Sequence, residues 1–326
     1  MFKKKLVSLV SVVALAGMLS ACGSEGSSSE PTGDLVEEGT ENVAVVLKTL
    51  SSQYWKYVEA GAKQAGEDLG VNVTVLGPAA ESQIMEQVNM IEDSLSQGPD
   101  ALVLSPSQPS TVVPALSQAT SDNIPVFFID TDADYDEKQS FLGTDNYSAG
   151  YEGGQLLAEQ LEAGDKVALI GGALGNTATD ERVKGAKAAL EEAGIEIAAE
   201  QPANSDRTEA MNVMENILQT QGDIKGVFAA NDDMAIGAAR AASSNGLSIP
   251  IIGTDGTVEA VEAIINGELF GSIAQSPYDM GYQGVENAIK VLKGETVEKR
   301  IDTGVSIVTA ENAEEVLEFL NSISGN

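Results

Sequence analysis

The sequence predicts an α/β protein of two doubly wound parallel-sheet domains. Short Val- and Ile-rich runs alternate with helical patterns and are joined by helical stretches rather than hairpin turns, which points to parallel sheets. One segment also echoes another about 124 residues later. "GAKQAGEDLGV" from Gly61 and "GAKAALEEAGI" from Gly185 agree at Gly61/Gly185, Ala62/Ala186, Lys63/Lys187, Ala65/Ala189 and Gly70/Gly194. Each lies at the end of a helical stretch before a strand, the mark of two related domains opened by equivalent units. Chance similarity between two amphipathic helices is the alternative.

The first half supplies strands "VAVVL" from Val43, "VTVL" from Val73, "ALVL" from Ala101 and "VFFI" from Val126. The second supplies "VALI" from Val167, "EIAA" from Glu196, "GVFAA" from Gly226, "PIIG" from Pro250 and "GSIA" from Gly271. Between strands, Ile84, Val88, Ile91 and Leu95 form an apolar stripe at helical spacing. The tail "AENAEEVLEFLNSI" reads as a last helix with Val316, Leu317 and Leu320 on one face.

Ahead of these elements, three lysines, a short apolar stretch and small residues precede Cys22, the layout of a secretory signal over residues 1–21. Leu19, Ser20, Ala21 and Cys22 resemble the bacterial lipobox, which would make Cys22 a lipidated first residue of the mature chain. It is the only cysteine, so no intrachain disulfide can form. Residues 22–40 then read as the anchor and a Ser-, Gly- and Glu-rich flexible tether. About 285 residues remain, enough for two cores.

Composition excludes several functions. Histidine is absent, which removes Ser-His-Asp, Cys-His and His-metal chemistry. The formal charge of −32 becomes −35 once residues 1–21 leave with Lys3, Lys4 and Lys5, since that segment holds no acid. With no Lys/Arg run, nucleic-acid binding is not expected. No cofactor is expected either: "GGALGN" from Gly171 lacks both the Gly-Lys-Ser/Thr ending of a phosphate loop and the G-x-G-x-x-G spacing.

Open parallel sheets bind ligands beyond the carboxyl ends of their strands. There the sequence places Lys48, Ser52, Tyr54 and Trp55 after the first run, Ser105 and Ser107 after "ALVL", and Asp130, Thr131 and Asp132 after "VFFI". In the second half Arg182, Asn231, Asp255 and Gln275 follow strands in the same way. Side chains that engage two neighbouring hydroxyls, with rings to cover a C–H face, suit a sugar or cyclic polyol. Bland alternatives stand beside each: Asn231 and Asp255 as helix caps, Arg182 as a surface residue, Trp55 as core, Lys48 in a structural ion pair.

From about Asn42 to Glu298 the chain resembles the ribose/allose branch of the periplasmic sugar-binding proteins, the capture components of bacterial ABC importers. "VVLKTLSSQYW", "IDTD", "LGTDN", "GNTATDERVKGA", "AEQPANSDR", "VFAANDDMAIGA", "IIGTDG" and "GSIAQSPYDMG" carry the resemblance. Lys48, Trp55 and "IIGTDG" are closer to the allose-binding members. The resemblance implies the type I periplasmic binding protein fold with a three-crossing hinge near Thr144–Asn146, Gln275–Pro277 and Thr303–Val305. It implies one sugar-binding lobe of residues 41–144 plus 276–303 and another of 145–275 plus 304–326. By position, Lys48, Tyr54, Trp55, Asp130 and Thr131 form the first wall, with Arg182, Asn231, Asp255 and Gln275 opposite or at the hinge. Ser52 stands where the family usually has Asn, and Ser205 where an aromatic closes the second ring face, so stacking is one-sided.

The function this implies is capture of a monosaccharide or related polyol by hinge closure and delivery to a membrane permease. The protein is expected to be a monomer, lipid-anchored outside the cell membrane, and not an enzyme. Alternatives are a sugar-sensing co-receptor, a binder of a sugar acid or signalling sugar through Lys48 and Arg182, and a glycosidase using Asp130, Asp132 and Asp255.

Overall fold

The computed structural model describes residues 40–323, so the signal segment and the lipidation expected at Cys22 lie outside the described residues. The chain opens with β1 (Asn42–Val46), α1 (Gln53–Leu69), β2 (Asn72–Leu76), α2 (Ile84–Ser96) and β3 (Ala101–Leu104). A short α3 (Pro109–Val112) runs through a 3₁₀ turn into α4 (Ser117–Asp122), followed by β4 (Val126–Ile129) and β5 (Ser140–Gly143). The second half continues with α5 (Asn146–Ala158), β6 (Lys166–Gly171), α6 (Thr177–Glu192), β7 (Glu196–Pro202), α7 (Arg207–Thr220) and β8 (Ile224–Ala229). After these come α8 (Asp232–Ser244), β9 (Ile251–Asp255), α9 (Val258–Ile265), β10 (Gly271–Ala274), α10 (Pro277–Leu292), β11 (Arg300–Asp302), β12 (Ser306–Thr309) and α11 (Ala313–Ile323).

Two six-stranded sheets result, in the orders β11-β5-β4-β3-β1-β2 and β12-β10-β9-β8-β6-β7. Every pairing in the first is parallel; in the second, the edge strand β12 runs antiparallel to β10, a departure from the all-parallel expectation. That exception is a common one, since an edge strand needs no helical crossover to reach its neighbour. The strands β5, β11 and β12 had no clear sequence signal.

Strand periodicity sorts the core. Val43, Val45 and Leu47 pack on one face of the first sheet with Val58, Ala62 and Val285, while Ala44 and Val46 pack on the other with Ile91 and Leu95. The stripe on α2 buries Val88, Ile91 and Leu95. The second sheet surrounds one core containing Leu169, Phe228 and Ile252, and Val316, Leu317 and Leu320 of α11 pack partly buried against it.

The repeated segment has a physical basis. Gly70 and Gly194 both take left-handed backbone (φ 70° and 77°) just beyond α1 and α6, where a β-carbon would be strained. The next residues, Val71 and Ile195, return hydrogen bonds to the Gly66 and Leu190 carbonyls. Gly61 and Gly185 let helices touch: an added β-carbon would stand 2.0 Å from the Tyr278 carbonyl oxygen and 2.1 Å from that of Tyr147. A second echo, Tyr-x-x-Gly-Tyr, lies in the facing helices at Tyr147–Tyr151 and Tyr278–Tyr282.

Between the sheets the chain passes three times, from β5 to α5, from β10 to α10 and from β11 to β12. In each sheet the winding reverses beside its first strand, at β1/β3 and at β6/β8. These switch points leave a crevice at the strand carboxyl ends.

Candidate functional site

Six residues past the end of β1, Ser52 opens α1, which puts Tyr54 and Trp55 in its first turn; Lys48 lies on the link between. On the same side, Asp130 directly follows β4 and leaves it with φ 62°. Across the crevice, Arg182 comes from α6, Asn231 from the turn after β8, and Asp255 from the end of β9 with φ 136°. Of the five described non-glycine residues with positive φ, four surround this crevice: Asp130, Asn204, Ser205 and Asp255. Strained backbone of this kind is kept where the surroundings over-determine a side chain's direction.

The cleft between the sheets leaves about 20 Å³ of free space and is lined by Lys48, Ser52, Tyr54, Trp55, Glu81, Asp130, Ala178, Thr179, Arg182, Ser205, Asn231 and Asp255. That is room for about one water molecule, so the two walls stand nearly in contact. Of the residues expected from sequence, Ser105, Ser107, Thr131, Asp132 and Gln275 do not line it. Thr131 and Gln275 each hold a carboxylate that does: Thr131 Oγ1 donates to Asp130 Oδ1 at 2.7 Å, and Gln275 Nε2 to Asp255 Oδ1 at 2.7 Å. Glu81, Ala178 and Thr179 were not expected. Glu81 follows β2 as the other residues follow their strands, so the strand-end pattern marks it too.

On the first wall Asp130 is the centre. Lys48 Nζ lies 2.7 Å from its Oδ1, Tyr54 donates its hydroxyl to Oδ2 at 3.0 Å, and Ser105 donates to Oδ1 at 3.3 Å. Burial alone would raise the Asp130 pKa, but Lys48 and Arg182 outweigh it and hold the carboxyl below its usual range. The Tyr54 hydroxyl is driven well above its ordinary pKa by burial, then by the Asp130 charge, and stays a neutral donor. Trp55 is buried, packs edge-on against Tyr54 and donates its indole N–H to Glu81 at 2.8 Å. Burial raises the Glu81 pKa, with Lys48 and the Trp55 hydrogen bond acting against it.

The second wall is organised by Arg182. Its Nε donates to Asn146 Oδ1 at 2.8 Å, Nη1 to the Ala230 carbonyl at 2.9 Å, and Nη1 lies 3.4 Å from Asp255 Oδ1. Asp255 is nonetheless pushed well above its ordinary pKa by burial, which the Arg182 charge only partly offsets and neighbouring Asp232 reinforces. Asn231 caps α8, accepting from the Met234 N–H at 2.9 Å, while also facing the cleft. Asp255 does not cap α9, a role taken by Thr257. Arg182 is not a surface residue, and Lys48 is in a buried ion pair.

The walls meet in a closed arrangement. Arg182 Nη2 stands 4.0 Å from Asp130 Oδ2 and Lys48 Nζ 3.5 Å from Asn176 Oδ1, while Gln108 and Thr177 bond across to the Leu174 and Asp132 carbonyls. Asp132 does not line the cleft and pairs with Lys138 at 2.5 Å. The three-carboxylate set of a glycosidase is therefore not assembled.

Two sheets joined by three crossings, closed over a small polar cleft at their switch points, define a ligand-capturing protein of the hinge-closing class. A model of the periplasmic binding protein domain matches residues 43–296, and the chain belongs to that family. Ribose import binding protein RbsB of Escherichia coli is 33% identical over 309 residues, 94% of this chain and 99% of its own. The D-allose-binding periplasmic protein of the same organism is 32% identical over 254 residues, 74% of this chain and 82% of its own. Those identities do not separate the ribose from the allose branch. The crystal structure of an ABC transporter solute-binding protein from Agrobacterium vitis with bound D-fucose superposes with a TM-score of 0.81 at 35% identity, over 84% of this chain and 97% of that one.

Proposed function

We propose that this chain captures a monosaccharide or related polyol outside the cytoplasm and delivers it to an ABC importer. The observation that carries the reading is the opposed pair of buried strand-end carboxylates, Asp130 and Asp255, one from each sheet, with Arg182 within 4.0 Å of both. A polyol hydroxyl both donates and accepts, so it can join such an acid–cation–acid line without carrying charge itself. Hydrogen bonds to charged groups contribute about 1.5–3 kcal/mol each, and a handful leaves micromolar binding after association costs. Trp55 offers an apolar edge for the C–H face, and closure of the two lobes traps the ligand. The relatives named ribose and allose import or binding proteins support this substrate class.

The finer expectations belong to the same reading: a monomer, anchored through lipid on Cys22 to the outer face of the cell membrane, with Lys48, Ser52, Tyr54, Trp55, Asp130, Arg182, Ser205, Asn231 and Asp255 as the binding set and Thr131 and Gln275 behind it, orienting Asp130 and Asp255. Thermal-shift screening of the purified chain against pentoses, hexoses, ketoses, inositols and sugar acids, with calorimetry on each hit, tests it. A saturable rise in melting temperature with a neutral sugar supports the reading. A response to acids alone makes Lys48 and Arg182 anion anchors and overturns it. Release of the protein from membranes by Cys22→Ser tests the anchor.

A further inference from the structure

Two residues of the second lobe reach the cleft from different elements, Asn231 from the start of α8 and Asp255 from the end of β9, and a third, outside the cleft lining, ties them together. Asp232 follows Asn231 directly and is fully buried. Its Oδ2 accepts from the Thr257 N–H at 2.8 Å and from the Thr257 hydroxyl at 3.1 Å. Its Oδ1 accepts from the Ser272 hydroxyl at 2.7 Å, and Ser272 Oγ in turn accepts from the Gly256 N–H at 3.1 Å. The two consecutive amides after Asp255 are thus fixed by one carboxylate, the second directly and the first through Ser272.

The backbone at Asp255 needs that hold. A φ of 136° is a conformation that residues other than glycine rarely adopt, and Gly256 follows at 73°. Such a turn persists only where its surroundings over-determine it. The packing is built around the same group: a β-carbon on Gly253 would stand 2.3 Å from Asp232 Oδ1, so the bare backbone of β9 rests against the carboxylate. From the other side, Gln275 donates its backbone N–H to the Asp255 carbonyl at 3.0 Å and its side chain to the carboxyl. When ionised, Asp232 is the stronger anchor, since hydrogen bonds to a charged acceptor are roughly twice as strong as neutral ones.

Resting on the sugar-capture reading, we infer that Asp232 is a positioning residue for the ligand: through Ser272 and Thr257 it sets the direction in which Asp255 enters the cleft, and from its place at the head of α8 it keeps Asn231 in register with it. Asp232 makes no contact with the sugar itself. Loss of the hold lets the turn at 255–257 relax toward ordinary strand backbone, which carries the Asp255 carboxyl away from Arg182 and from the hydroxyls it is to meet. Affinity therefore depends on a hydroxyl relay that lies outside the cleft.

The test starts from a thermal-shift panel of D-ribose, D-allose, D-xylose, D-galactose, D-fucose, D-fructose and myo-inositol, and calorimetry with the tightest of these then compares variants with the wild-type chain well below their melting temperatures. Ser272→Ala removes the relay and should weaken binding about tenfold. Ser272→Thr keeps the hydroxyl and should bind within about threefold of wild type, even where its extra buried methyl lowers the melting temperature. Asp232→Asn keeps an acceptor for Thr257 but offers Ser272 an N–H in place of an oxygen, so its affinity should fall with Ser272→Ala rather than stay with Ser272→Thr. If Ser272→Ala binds within about twofold of wild type, or Ser272→Thr loses as much as Ser272→Ala, the positioning role is refuted and sugar capture stands. If no member of the panel binds the wild-type chain, the capture reading itself falls, and the positioning role with it.

Discussion

Lys48 and Asp130 meet at 2.7 Å with 3% of either side chain exposed, an ion pair sealed inside the cleft wall. The two partners are not equally dependent on it. Without Lys48, Asp130 keeps Tyr54, Thr131 and Ser105 as donors and Arg182 at 4.0 Å. Without Asp130, the Lys48 ammonium keeps one long hydrogen bond, to Asn176 at 3.5 Å, with the Trp55 ring 5.4 Å away and Glu81 as its neighbouring carboxyl. Asp130→Ala is therefore expected to destabilise the ligand-free protein by about 3–5 kcal/mol, the cost of stranding a buried charge. Lys48→Met should cost roughly 1–3 kcal/mol, the penalty for an under-satisfied acceptor. Urea denaturation of both variants checks the order, and a larger loss for Lys48→Met contradicts it.

Asp232 predicts how stability follows pH. It is fully buried, accepting from Ser272 Oγ at 2.7 Å and from the Thr257 N–H and hydroxyl at 2.8 and 3.1 Å. Burial lifts its pKa from 3.8 to about 6, with Asp233 adding to the rise. A carboxyl whose folded pKa is raised binds its proton more readily folded than unfolded, so stability grows as pH falls from above 6 toward 4, by up to about 3 kcal/mol. Asp255 and Glu81, also raised, act in the same direction. Asp130, Asp223 and Glu259 are held low, and what they contribute is lost only below the ordinary carboxylate range. The melting temperature without ligand should be higher at pH 5.5 than at pH 8, and Asp232→Asn should flatten that slope; a melting temperature that falls over this interval contradicts the assignment.

The paired helix contacts make a prediction about packing. A β-carbon at Gly61 or Gly185 would approach a facing backbone oxygen at 2.0 or 2.1 Å, far inside contact distance, and backbone cannot move as a side-chain tip can. Gly61→Ala and Gly185→Ala should each cost about 1–3 kcal/mol or more from overpacking, despite alanine's better helix propensity. Gly70→Ala, with open space around its β-carbon but φ at 70°, separates the two causes, since only backbone strain acts there. Thermal melts of all three decide it; a stabilised Gly61→Ala or Gly185→Ala would show that the helices separate freely.

Much of this was legible because the chemistry sits where strands end. Runs such as "ALVL" and "VFFI" coincide with β3 and β4, and reading the residues beyond each run reaches Lys48, Asp130, Asn231 and Asp255. Local pattern cannot say which of two consecutive residues turns inward, because a left-handed residue such as Asp130 redirects the chain. Hence Thr131 was expected in the cleft and lies behind it. Strands β11 ("RID") and β12 ("SIVT") are short, partly polar edges whose existence depends on a neighbouring strand rather than on hydrophobic period. Glu81 was passed over because Gly77, Pro78, Ala79 and Ala80 separate it from β2, although it follows the same rule as the rest.

Trp55 is the only tryptophan, and its place makes the cleft observable. Its indole N–H is held by Glu81, its ring lies edge-on to Tyr54, and Lys48 Nζ is 5.4 Å from its centre. A ligand entering between these groups must change the polarity around the one indole, so intrinsic fluorescence should shift saturably with the same affinity that calorimetry gives. Truncation to alanine would confuse the result, since Trp55 also belongs to the first core and its loss costs about 3–5 kcal/mol. Trp55→Phe keeps a ring in the core and removes the N–H and part of the stacking surface. It should weaken binding about tenfold, roughly 1.4 kcal/mol, while lowering stability less than alanine does. Glu81→Leu leaves the indole donor in place without its acceptor, and should disturb emission in the absence of ligand as well as affinity. If calorimetry reports a bound sugar while Trp55 emission stays fixed at saturation, the sugar is held away from this wall.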